Sequence, residues 1–138
     1  MQNIFLLSAY EISAAKFFQT LRHQKADLVL DVRRGNTSQL CGFTKEKDLA
    51  FFVPQLTGAQ YVHDLTFAPD KELLDLYTKH HMPWETYARE YRKILVKQQG
   101  IAHFKEQYSG YQSVCLLGTA TKKRRSHNEV LQAMLLES

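Results

Sequence analysis

The sequence predicts an α/β fold: a three-layer α/β/α domain on a mostly parallel four-stranded sheet, with a helical insertion before the last strand. Three observations predict it. Four short apolar runs, residues 4–7 (IFLL), 28–32 (LVLDV), 61–63 (YVH) and 113–117 (SVCLL), lack the polar alternation of a half-solvated strand and suit strands buried on both faces. Segments with helical spacing separate them. The resulting order, β-α-β-α-β, then helices alone, then β-α, closes through right-handed crossovers into a parallel sheet covered on its faces.

Each helix has its own signal. Ser13 caps a first helix in which Ala14, Phe17, Phe18 and Leu21 share one side. Thr44 is the expected cap of a second, running through Leu49 and Phe52, and Pro54 is expected to end or kink it. Asp70, after Pro69, starts a third that carries Leu73, Leu74 and Tyr77. Pro83 suits the first turn of a longer helix in which Trp84, Tyr87, Tyr91 and Leu95 recur at helical spacing. Gly100 interrupts it, residues 101–108 form a further short helix, and the final helix is expected from Ser126.

A length of 138 residues suits one domain, 1–138, and no repeat, low-complexity tract or linker divides it. With 44% hydrophobic and 23% charged residues the chain has the balance of a globular protein, not a disordered one. Its net charge of +4 is compatible with an anionic partner without demanding one. The positive residues bunch at Arg33 and Arg34, along 89–97, and at 122–125 (KKRR). Cys41 and Cys115 form no metal or redox spacing; Cys115 reads as a small buried hydrophobe and Cys41 as a loop thiol. The apolar run 4–7 is too short for a signal peptide or a membrane span, so no membrane association is expected and a reducing, cytoplasmic setting is. His63, His80 and His81 lack metal-ligand spacing, and no Walker loop, G-x-G-x-x-G or G-x-S-x-G occurs, so neither metal nor cofactor is expected. The sequence specifies no oligomeric state.

In open sheets of this kind ligands bind beyond the carboxyl ends of the strands. Those ends lead here into Tyr10, into Asp31 with Arg33 and Arg34, into His63 and Asp64, and into Gly118 and Thr119, all of which could line one pocket. Asp31 either fixes its loop by an ion pair with Arg33 or, if burial raises its pKa, serves as an acid or base. The arginine fork suits a phosphate or carboxylate. Residues 126–129 (SHNE) fit a capping box, Ser126 at the N-cap and Glu129 reaching back, with His127 in the first helical position facing the crevice. Next to the cations of 122–125 this helix start is either an anion site or a capped surface helix with solvated charges. The Trp84, Tyr87, Tyr91 stripe is either core or, with Arg89, Arg92, Lys93 and Lys97 interleaved, a stacking platform for a single strand.

The pieces LVLDVRR…GF-x-K, YVH-D-L, 68–73 (APDKEL), the W-x-x-Y-x-x-x-Y helix and the closing VCLL strand with its His-bearing loop resemble the domain-of-unknown-function 488 family over nearly the whole chain. The resemblance implies a compact α/β domain. Its D-V-R motif matches Asp31, Val32 and Arg33, its loop aromatic and lysine match Phe43 and Lys45, and its aromatic helix matches Trp84, Tyr87 and Tyr91. The family's last motif, roughly L-L-C-x-E, five residues, then C-H-R, falls without a gap on Gly118, Ala120, Ser126, His127 and Asn128, so the histidine alone survives. The LVLDVR stretch also resembles the rhodanese fold, but no C-x-x-x-x-R loop follows a strand here.

Three functions follow as expectations. The first is binding of an anionic ligand, a nucleotide or nucleic acid, at the carboxyl edge of the sheet, through Tyr10, Arg34, Lys45, Trp84, Tyr87, Arg124, Arg125 and Ser126. The alternative is a small hydrolase or transferase with Asp31 as acid or base, Arg33 as anion clamp and His127 as proton carrier. A protein-interaction module, docking through the aromatic helix, is the third.

Overall fold

A computed structural model describes residues 2–138. The chain runs β1 (Asn3–Ser8), α1 (Ala14–His23), β2 (Leu28–Asp31), α2 (Glu46–Thr57), β3 (Gln60–His63), α3 (Lys71–Lys79), α4 (Trp84–Lys97), α5 (Gly100–Tyr108), β4 (Ser113–Gly118) and α6 (Asn128–Glu137). Short 3-10 turns cover Gln39–Thr44 and Leu65–Phe67. All pairings are parallel and the strand order is β1-β4-β2-β3.

That order explains the burial of the strands. β4 and β2 are central and buried throughout, whereas β1 and β3 are edges and half-buried. Side chains alternate between two cores, as the period of a strand requires. Val29, Cys115 and Leu117 face Phe17 and Leu21 of α1 and Leu49 and Val53 of α2. Leu28, Leu30, Val114 and Leu116 face Tyr91 and Leu95 of α4, Phe104 of α5 and Leu131 of α6. The sheet is therefore the middle layer of an α/β/α sandwich. Among the described residues no helix is long and apolar enough to cross a membrane.

Three local expectations are corrected. Thr44 does not cap α2: its Oγ1 donates to the carbonyl of Cys41 at 2.7 Å, inside the preceding turn, and α2 starts after Lys45. Pro54 does not end α2: it is exposed, one turn from the end, and the carbonyl of Ala50 that it deprives of an N–H belongs to an exposed residue. The helix ends instead at Gly58, whose φ of 76° is the left-handed conformation a helix end uses. The capping box at 126–129 does not form. The Ser126 hydroxyl accepts from the N–H of Thr119 at 3.0 Å, and Glu129 accepts two bonds of 2.8 Å from Arg125, so α6 begins at Asn128 behind His127.

Candidate functional site

α1 and α2 lie on one face of the sheet and α3 to α6 on the other. The chain leaves β2 toward α2 and β4 toward α6, so the loops after these adjacent central strands part in opposite directions and open a crevice between them. A cavity of about 380 Å³ occupies that crevice. Its walls come from the loops after β1, β2 and β4 and from α3 and α4, and include Tyr10, Arg33, Arg34, Tyr77, Arg124 and His127.

The β2 loop is held by one buried ion pair. Arg33 donates from Nε to Asp31 Oδ1 and from Nη2 to Oδ2, both at 2.8 Å, with both side chains wholly buried. Asn36 Nδ2 (3.1 Å) and the Tyr61 hydroxyl also donate to Oδ2, and the Arg33 N–H to Oδ1. Burial opposes ionisation of Asp31, but the bonds and charge of Arg33, with Tyr61 and Asn36, outweigh it and hold the carboxyl below its ordinary value. Asp31 is no poised acid or base: its oxygens are occupied and it lies beneath the cavity wall rather than on it. It aims Arg33, whose Nη2 also reaches the carbonyl of Thr44 at 2.6 Å and whose Nη1 lies 3.8 Å from Cys41 Sγ.

The β4 loop supplies the opposite wall. Thr121 and Arg124 pair across a tight turn, leaving Lys122 and Lys123 exposed at its tip. Only the second half of the basic run, Arg124 and Arg125, lines the cavity. Arg125 pairs with Glu129 and sits 4.5 Å above the ring of Trp84. Arg124 touches the carbonyl of Thr78 at 3.3 Å. Arg34, across the cavity, donates Nε to the carbonyl of Pro69 at 2.9 Å. Among the described residues neither Arg34 nor Arg124 has a carboxylate partner, and no Asp or Glu lines the cavity.

His127 is 2% exposed and donates through Nε2 to the carbonyl of Val32 at 2.6 Å, which ties the start of α6 to the end of β2. Tyr91 packs edge-on against the ring at 5.1 Å. Burial, opposed by the Val32 bond and Asp31, brings its pKa down to about 4, so the ring is neutral at neutral pH. Its Nδ1 is buried without a partner. Burial, then the thiol of Cys41, raises the pKa of Tyr10, which stays protonated.

Of the sequence-predicted residues, Tyr10, Arg33, Arg34, Tyr87, Arg124, Arg125, Ser126 and His127 share the cavity. Lys45 lies outside it, its Nζ 3.5 Å from Gln39 Oε1, and Trp84 lies behind Arg125. His63 and Asp64 do not join: β3 is the far edge strand, His63 contacts Glu46 and the carbonyl of Arg33, and Asp64 is taken by His103 and Tyr108. Sequence reasoning missed Tyr77, which stacks flat on Tyr87 at 4.0 Å and bonds the carbonyl of Arg125 at 2.9 Å; its helical spacing marks it as a core position and nothing marks it as a wall. Among the described residues no cluster of His, Cys, Asp and Glu is arranged to hold a metal ion.

The family described as "Domain of unknown function DUF488" matches residues 13–135, most of the chain. No curated protein and no solved structure matches.

Proposed function

The chain belongs to the DUF488 family of domains of unknown function, and we propose that this member binds an anionic ligand of nucleotide size in the cavity at the carboxyl edge of its sheet. The observation that carries the reading is the wall itself: four arginines, no carboxylate, and two of the arginines without an ion-pair partner among the described residues. Unpaired guanidinium groups around a partly enclosed, low-dielectric space favour a phosphate, for which their planar forks are shaped. A volume of about 380 Å³ is at the small end of the range for ligand pockets, about 300–1,000 Å³. In this reading the phosphate lies between Arg34 and Arg124, and Tyr77, backed by the buried Tyr87 on which it stacks, forms with Leu74 the less polar wall for the base.

A nucleotide suits the cavity better than a nucleic-acid strand. Stacking along α4 needs accessible rings, yet Tyr87 and Tyr91 are buried in the core and Trp84 is covered by Arg125. Binding also suits the site better than acid–base catalysis, because Asp31 is committed to Arg33.

Calorimetric titration of AMP at low ionic strength tests the proposal. Binding is expected, weakened about tenfold or more by either Arg34→Gln or Arg124→Gln, the usual cost of losing a charged hydrogen bond to the ligand. Absence of heat with every mononucleotide at millimolar concentration, or full affinity in the double variant, would sink it. Competition by a short oligonucleotide far tighter than AMP would favour the nucleic-acid alternative.

A further inference from the structure

We infer that the anion bound in this cavity is a phosphorylated sugar, free or as part of a nucleotide, and that one of its hydroxyl groups donates to Nδ1 of His127. The inference rests on the anion-binding reading above and specifies the chemistry its ligand must have.

The carbonyl oxygen of Val32 can only accept, so the 2.6 Å contact fixes the ring proton of His127 on Nε2. With the ring neutral, Nδ1 is a bare acceptor. Turning the ring over would exchange one unpaired nitrogen for the other and lose the tie to β2, while Tyr91 packs against its edge. Nδ1 is the one buried side-chain nitrogen or oxygen without a partner among the described residues, in a class of atoms that folded proteins almost always pair. His127 is also part of the cavity wall, beside Ser126, Thr119 and the arginines.

A ligand for such a wall needs two opposite properties. Toward Arg34 and Arg124 it must present acceptors and negative charge; toward His127 it must present a donor. Sulfate and simple phosphate diesters offer acceptors alone and would leave Nδ1 unpaired. An ammonium would satisfy Nδ1 but be repelled by the guanidinium groups, and an amide would bring no negative charge to them. A sugar phosphate carries both, a phosphate and hydroxyl donors a few bonds away.

The probes are ribose 5-phosphate and monomethyl phosphate at pH 8, where both are predominantly dianions since phosphate monoesters lose their second proton near pH 6. They match in charge and differ in hydroxyls. Calorimetry on the wild-type protein is expected to give about tenfold tighter binding of ribose 5-phosphate, the size of one satisfied buried acceptor. His127→Phe is expected to lose the preference for ribose 5-phosphate over monomethyl phosphate. Because that variant also loses the tie to Val32, nitrogen-15 NMR of the wild-type imidazole supplies an independent reading. The Nδ1 resonance is expected to move from the bare-acceptor position toward the protonated one with ribose 5-phosphate and to stay put with monomethyl phosphate. Equal affinities, or an unmoved Nδ1 with both phosphates bound, overturn the hydroxyl contact and leave the anion site standing. Binding of neither phosphate overturns the site itself.

Discussion

His127 and Asp31 sit within hydrogen-bonding distance of neighbouring residues of one strand end, yet burial acts on them in opposite ways. Asp31 is surrounded by donors and stays charged; His127 has one acceptor partner and stays neutral. The signs have consequences for stability. The folded pKa of His127, about 4, lies below an ordinary value of about 6.5, so the unfolded chain binds its proton first. Stability is full above pH 6.5 and falls as pH drops toward 4, by roughly 3 kcal/mol over the whole window. Asp31 acts lower: its depressed pKa contributes stability above about pH 3.9, lost as pH falls through the folded value. Urea unfolding at pH 7 and pH 4.5 is expected to show the wild type losing about 2 kcal/mol more than His127→Gln; equal losses contradict the buried neutral ring. Sequence reading reached both residues and kept open the two roles of Asp31. It could not choose, because the choice depends on how many donors converge: Asn36 folds back from further along the same loop and Tyr61 arrives from another strand.

Helices and strands were legible where their own residues decide them. Ser13 caps α1 through the N–H of Lys16, as its position predicts. The capping expectations that failed are those in which the side chain found a better partner outside its helix. Thr44 turns back to Cys41, Ser126 to Thr119, and Glu129 to the basic run that precedes it. A second grouping was invisible in the sequence. A Cβ on Gly118 would come within 2.5 Å of Asn128 Cγ and 2.6 Å of Ser126 Oγ, and Asn128 Nδ2 donates to the carbonyl of Leu116 at 2.9 Å. Gly118, Ser126 and Asn128 are three of the positions where the chain departs from the C-x-E…C-H-R pattern it resembles, and they pack on one another as a unit. Gly118→Ala is therefore expected to destabilise the protein by about 1–3 kcal/mol, the ordinary cost of overpacking a tight site, as read by urea unfolding at pH 7. An unchanged midpoint would show that the start of α6 yields freely.

For the whole molecule, the four apolar runs and the helices between them were enough to predict the sandwich, but not which strands are neighbours. The order β1-β4-β2-β3 places the cavity between β2 and β4 and sends the His63–Asp64 end of β3 elsewhere. The net charge of +4 is correspondingly less informative than its distribution: Lys122 and Lys123 are solvated, Arg33 and Arg125 are paired, and Arg34 and Arg124 have no carboxylate partner among the described residues. The most direct measurement is a titration of the isotopically labelled protein with AMP at low ionic strength, followed by backbone amide chemical shifts. Saturable shifts are expected at Tyr10, residues 33–38, 119–127 and the neighbouring parts of α3 and α4, with α1 and α2 silent on their outer faces. Shifts spread over the exposed lysines outside these segments, or none at millimolar AMP, would contradict nucleotide binding in the cavity.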